Sequence, residues 1–268
     1  MRSQRSSWCG STTATRTSGG GAGIQADLRT FAAHGLHGTC AITAVTAQNS
    51  VRVTDYVALE PRMVVAQIEA VTGDMTVAAA KTGMLANRAI IDAVARVAAG
   101  WSVPHLVVDP VMVAKGGDRL LDEDAEQAYV ERLFPLATVL TPNLAETEAL
   151  LRRPVRTLDD MKAAARELHR RGVRAVVVKG GHLSGDAVDV FFDGTRLEEI
   201  HAPRIDTANT HGTGCTYASA IASRLALGAE LLEAVRGAKA YLTEAIRRSY
   251  AVGHGHGPVD HLHPLTRG

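Results

Sequence analysis

Cysteine is scarce in this 268-residue chain: Cys9, Cys40 and Cys215 are three, an odd number without metal-ligand spacing. That argues against a disulfide framework or a zinc site, and reduced thiols are expected. Aromatic residues make up only 4% of the sequence, so the core has to be packed from Ala, Val and Leu. No uninterrupted apolar run approaches the roughly 18 residues that a bilayer span requires, and MRSQRSSWCGSTTATRTS at the start lacks the apolar segment of a secretory signal. An excess of one charge is also missing. Lys plus Arg number 29 against 28 Asp plus Glu, with no basic run, which argues against nucleic acid and against a membrane surface as partners. The expectation is a cytoplasmic, enzyme-sized protein that acts on small molecules.

What the chain does have is 46% hydrophobic residues, arranged as short β-branched runs alternating with longer Ala/Leu/Arg-rich segments of helical period. This is the pattern of a mostly parallel sheet with helices on both faces. Helices are expected over 24–35, 61–73, 87–99, 122–134, 157–171, 213–227 and 230–250. Strands are expected over 39–48, 77–83, 105–110, 137–142 and 174–181. The stretch AVDVFFDGTRLEEIHAP (187–203) breaks the alternation: two runs flank Asp193-Gly194, which predicts an antiparallel hairpin at one sheet edge. Residues 1–18 carry almost no aliphatic side chains and read as a disordered leader, unable to supply a buried first strand. Residues 19–268 then form a single domain.

In open α/β sheets ligands collect at the carboxyl ends of the strands. Polar segments follow the strands there: SGGGAG before the first helix, Gln48-Asn49, KTGM (81–84), Asp109-Pro110, TPNLAE (141–146), KGGH (179–182) and HGTGC (211–215). HGTGC is physically the most specific. Gly212 and Gly214 allow the backbone to approach an anion, and the N-terminus of the helix behind them favours negative charge. By residue type alone several of these positions carry two readings. Asn143 and Glu146 suit a hard cation, or a helix N-cap with its partner three residues on. Asp109 reads as a turn-forming residue before proline. Lys179 can face phosphates or simply be solvated. Cys215 is a thiol that a helix N-terminus could activate as a base, or a small buried residue at a helix start.

Eight segments in order carry a family resemblance: GGAGIQADLRTFAAHG, TAVTAQNS, AAKTGML, VVDPVM, TPNLAE, VVVKGGH, NTHGTGCT and GHGHGPVDHLH. The chain resembles the ribokinase-like superfamily, and within it the hydroxymethylpyrimidine/phosphomethylpyrimidine kinases of thiamine biosynthesis. The resemblance implies a three-layer sandwich and successive ATP- and Mg2+-dependent phosphorylation of a pyrimidine alcohol and its monophosphate. It implies that Gly212, Thr213, Gly214 and Cys215 form the anion hole, with Cys215, its pKa lowered by the helix terminus, accepting the substrate proton. It assigns Asn143 and Glu146 to Mg2+, and Asp109, Asn143 and Lys179 to the nucleotide phosphates. Gln48 would read the pyrimidine ring, and Asp27 and Met84 would line its pocket; helix-surface and core-packing roles compete for these two. A homodimer is implied as well. Pyridoxal kinase, with the same fold and reaction, is the alternative enzyme.

The resemblance fails at the front. Family members begin with an apolar strand ending in Ser-Asp, where this chain has Arg16-Thr17 after STTAT. A catalytically impaired binding protein is therefore the alternative if that strand is lost. In the tail, His254, His256, His261 and His263 invite a metal reading, but no cysteine or carboxylate completes a plausible set of ligands. The resemblance favours a mobile or closing segment there.

Overall fold

Side chains alternate along each strand, so one sheet can carry two separate cores. The computed structural model describes residues 9–112, 123–181 and 185–265. Its strands are β1 (Cys9–Thr17), β2 (His37–Gln48), β3 (Val53–Ala58), β4 (Val77–Thr82), β5 (Leu106–Val108), β6 (Val139–Leu140), β7 (Val176–Lys179), β8 (Asp189–Phe192) and β9 (Leu197–Ile200). They join in one sheet of order β3-β2-β1-β4-β5-β6-β7-β8-β9. From β2 through β7 the neighbours run parallel, whereas β3, β8 and β9 pair antiparallel at the edges. The helices are α1 (Gly23–Ala33), α2 (Pro61–Thr72), α3 (Arg88–Ala99), α4 (Glu123–Ala128), α5 (Leu144–Leu151), α6 (Leu158–Arg170), α7 (Thr213–Ala226) and α8 (Leu231–Arg247).

Ala79, Val107, Val139 and Val177 point to one face, where Phe31 of α1 and the apolar stripes of α7 and α8 cover them. Their neighbours Ala80, Val108, Leu140 and Val178 point to the other, against α2, α3, α4 and α6. The three-layer sandwich follows from this alternation. Local signals set the helix starts: the Asn87 side chain accepts from the Ile90 N–H, and Thr157 and Asp160 close a capping box ahead of α6. Among the described residues no helix is long and apolar enough to cross a membrane.

The expected edge hairpin is β8–β9, with Asp193 Oδ1 accepting from the Thr195 and Arg196 N–H groups in the turn. The opposite edge was not anticipated. β3 returns antiparallel along β2 within the span read as a connection between strand 39–48 and helix 61–73. Two helical expectations are also revised: 122–134 contains α4 followed by a wider turn and a tighter one, and α5 adds a helix after Asn143.

The leader reading fails for residues 9–17. They form β1, a central strand paired in parallel with β2 and β4, and all but Arg16 are buried. Threonine is β-branched and favours strands, the small side chains admit Phe31 of α1 closely, and the backbone is paired on both sides. Two of its hydroxyls have internal partners: Thr12 donates to Asp27, and Thr17 to the Ala22 carbonyl. Hydrophobicity was the wrong test for this strand, and the reading of a binding protein with a lost first strand loses its premise. Residues 1–8 lie outside the described part.

One buried ion pair ties the central elements together. Asp27 on α1 and Lys81 on β4 are fully buried, with Lys81 Nζ 3.1 and 3.2 Å from the two carboxylate oxygens. The same oxygens accept from Thr12 of β1 and Ser219 of α7, each at 2.7 Å. Burial by itself pulls the Lys81 ammonium toward neutrality; Asp27, with smaller help from Cys215 and Asp109, overcomes this and raises its pKa above the ordinary lysine value. Removing one partner strands a buried charge. Lys81→Met is expected to cost about 3–5 kcal/mol in urea unfolding, and adding Asp27→Leu to recover a large part of it. A double variant no more stable than the single would show that the charge is not what matters.

Candidate active site

The strand ends converge as expected, and the residues there line two adjoining cavities. The larger, about 430 Å³, is bounded by Thr15, Thr17, Gln48, Tyr56, Met84 and Asp109, with Glu146 and the turn His211 to Cys215. The smaller, about 240 Å³, lies between the end of β7 and helices α7 and α8, against Ala187, Pro203, Leu242 and Ile246. Asn143, Lys179, Thr210, Thr213 and Gly214 belong to both. The first turn of α7 is therefore the shared wall.

That wall is built by backbone geometry. Gly212 holds φ at +81°, and a Cβ there would lie 2.0 Å from the carbonyl oxygen of Gly21, so only glycine seats this turn against the glycine turn ahead of α1. From residue 213 the chain is helical, and its first N–H groups, which have no partner within the helix, face the junction of the two cavities. An anion placed there meets these N–H groups and the positive end of the helix.

Charged side chains complete the junction. Lys179 Nζ lies 2.9 Å from Asp109 Oδ1 and 4.0 Å from Glu146 Oε2. Burial alone would lower the Lys179 pKa; the Asp109 and Glu146 carboxylates reverse this and keep the ammonium charged. Asp109 also accepts from the Thr141 hydroxyl at 3.3 Å, while its buried Oδ2 has no partner among the described residues. Burial pushes Glu146 up to about 7, with Lys179 opposing and Asp109 reinforcing the shift.

The structure assembles Gly212, Thr213, Gly214, Cys215, Gln48, Met84, Asp109, Asn143, Lys179 and Glu146 around these cavities. Asn143 and Glu146 also form a full capping box: Asn143 Oδ1 accepts from the Glu146 N–H at 2.9 Å, and Glu146 Oε2 from the Asn143 N–H at 2.7 Å. The two readings of this pair are compatible, since the cap fixes where both side chains point. Asp27 is the exception. Expected in the pocket wall, it is enclosed beneath it in the ion pair with Lys81, because α1 turns this face into the sheet.

The expected lowering of the Cys215 pKa is also overturned. Burial pushes this thiol up to about 11; Lys81 opposes the shift, Asp27 and Asp109 add to it, and a hydrogen bond with the Gly23 backbone opposes it weakly. Desolvation and the two carboxylates together outweigh Lys81 and the Gly23 hydrogen bond. Sequence reasoning missed Thr15, Thr17, Val53 and Tyr56 as cavity residues, and named the HGTGC turn without giving His211 a role. The alternation in VTDYVA was the available signal for β3; nothing comparable marked β1.

A family model described as phosphomethylpyrimidine kinase matches residues 17–260. The chain is 48% identical over 256 residues to a hydroxymethylpyrimidine/phosphomethylpyrimidine kinase of Synechococcus elongatus, covering 95% of this chain and 97% of that one. It is 49% identical over 252 residues to a bifunctional thiamine biosynthesis protein of Geobacter sulfurreducens, covering 94% of this chain but only 51% of that protein, so the chain spans about half of it. The ADP complex of Bacillus subtilis pyridoxal kinase superimposes with a TM-score of 0.90 at 40% identity, covering 96% of this chain and 98% of that one.

A thiol raised to about 11 is protonated at neutral pH. Alkylation of Cys215 by iodoacetamide at about pH 7.5, followed by peptide mapping, is expected to run roughly 100-fold slower than for an ordinary cysteine and to accelerate as pH rises toward the pKa. Rapid, pH-independent modification would contradict the raised pKa.

Proposed function

Because the chain belongs to the phosphomethylpyrimidine kinase family and is a phosphotransferase, we propose that it phosphorylates 4-amino-5-hydroxymethyl-2-methylpyrimidine and then its monophosphate, with ATP as donor. The observation that supports this most directly is the pair of cavities meeting at one glycine turn on a helix N-terminus. One cavity accommodates an acceptor and the other a nucleotide, and the turn lies where a phosphoryl group would pass between them. The ADP complex of the similar pyridoxal kinase supports nucleotide use.

The roles follow from placement. The smaller cavity, lined by Leu242, Ile246 and Pro203, takes the nucleotide; the larger takes the pyrimidine, with the Gln48 amide on the ring and Met84 as an apolar wall. The backbone N–H groups from Gly212 to Cys215 hold the transferring phosphoryl, and Lys179 neutralises charge at the same point. The oxygens of Asp109, Asn143 and Glu146 suit Mg2+, and the orphaned Asp109 Oδ2 is the donor that such an ion would satisfy. When bound, Mg2+ neutralises phosphate charge and aligns the phosphates.

Cys215 holds the acceptor hydroxyl, and only its thiolate form, a minor species at neutral pH, takes the proton. Because a loose transition state needs little base assistance, the mostly protonated thiol acts chiefly by positioning the hydroxyl, whose proton passes to an oxygen of the transferred phosphoryl group when no thiolate is present. The acting unit is one kinase domain that includes β1, and the family resemblance supports a homodimer and a cytoplasmic location.

ADP release with ATP and Mg2+, compared across hydroxymethylpyrimidine, its monophosphate and pyridoxal, tests the reading. Turnover of both pyrimidines is expected; turnover of pyridoxal alone would reassign the enzyme to vitamin B6, the reading that the pyridoxal kinase likeness favours. Cys215→Ala is expected to lower kcat by roughly tenfold to 100-fold while Cys215→Asp retains part of the activity, and near-normal turnover in the alanine variant would remove Cys215 from the chemistry.

A further inference from the structure

The glycine- and histidine-rich tail is docked, and its contacts fall on two loops that carry the site. On one side, the Gly255 N–H donates to Ser50 Oγ at 3.1 Å and the His256 N–H to the Ser50 carbonyl at 2.9 Å. Ser50 is two residues past Gln48, which lines the larger cavity. On the other side, the Gly257 N–H donates to Asn209 Oδ1 at 3.1 Å, the His211 N–H to the Gly257 carbonyl at 3.0 Å, and His256 Nδ1 meets the Ala208 carbonyl at 2.8 Å. Residues 208–211 lead directly into Gly212 and the anion-binding turn.

The contact is too close for side chains. A Cβ on Gly255 would lie 2.1 Å from the Ser50 carbonyl oxygen, and one on Gly257 2.4 Å from Asn209 Oδ1. Beyond it the tail is anchored: Val259 is fully buried, the Asp260 N–H donates to the Ala245 carbonyl, and the Tyr241 hydroxyl to the His261 carbonyl. A segment fixed at its far end and pressed between two loops sets their separation.

We propose that Gly253–Pro258 is a clasp that positions the acceptor loop after Gln48 against the anion turn, with Ser50 and Asn209 as its positioning residues. The alternating glycines are there for backbone approach, and neither Ser50 nor Asn209 has to touch substrate. The kinetic form of this inference rests on the kinase reading above. Because each loop meets its own side of the clasp, the two sides separate kinetically: Ser50 and Gly255 govern how the acceptor ring is held, Asn209 and Gly257 how the phosphoryl turn is held.

Gly255→Ala is expected to raise the pyrimidine KM roughly tenfold with kcat within about twofold, and Asn209→Ala to lower kcat roughly tenfold with that KM nearly unchanged. Hydrogen exchange on the full chain, without substrate, should show faster exchange at amides 49–52 in Gly255→Ala than in wild type. If Gly255→Ala does not fold, Ser50→Ala removes only the side-chain acceptor and is expected to move KM in the same direction by a smaller factor. Unchanged kinetics in both loops' variants, equal loss in kcat and KM alike, or unchanged exchange at 49–52 would each overturn the clasp. A wild-type enzyme silent on all pyrimidines would overturn the kinase reading instead, leaving the exchange comparison to decide the clasp.

Discussion

The structure turns on a buried carboxylate that cannot be left alone. Asp27 has no solvent to relieve it, and its partners come from three other elements: Thr12 on β1, Lys81 on β4 and Ser219 on α7. Satisfying it therefore requires β1 in the sheet, α1 packed over β1 and β4, and α7 rotated with Ser219 inward. Ser219 is one helical turn beyond Cys215, so the same requirement sets which way the first turn of α7 faces. The low-dielectric interior makes the alternative, an unpaired buried charge, costly enough to enforce this arrangement.

The junction above this pair shows the same balance nearer the surface. Lys179 stays charged because Asp109 and Glu146 oppose the cost of its burial, while Cys215 stays neutral because burial, with Asp27 and Asp109, disfavours a thiolate more than Lys81 favours it. A helix N-terminus beside a cysteine is thus not sufficient grounds for an activated thiol. The sign depends on which charges lie beneath it and how far water is excluded.

Several elements were legible in the sequence for reasons that are local. The hairpin at Asp193-Gly194 is turn chemistry, the parallel alternation is periodicity, and the candidate site residues stand at strand ends because parallel sheets place their loops there. The misreadings share another cause. β1 was judged by side-chain hydrophobicity, yet a strand paired on both sides needs a continuous backbone ladder and small residues where α1 approaches. Asp27 sits in a helix one residue pattern away from either the pocket or the core, and its motif does not say which face the sheet will bury.

Taken alone, the order and spacing of its motifs determined the fold class, the rim that bears the site and the family, because these depend on residue types at short separations. Only the tertiary structure decided that β1 belongs to the sheet, that Asp27 answers Lys81 instead of a ligand, that the Cys215 thiol rests protonated, and that the tail lies between residues 50 and 209. Each of those depends on groups brought together from distant parts of the chain. Their energies follow from burial and neighbouring charge, quantities that do not exist until the chain has folded.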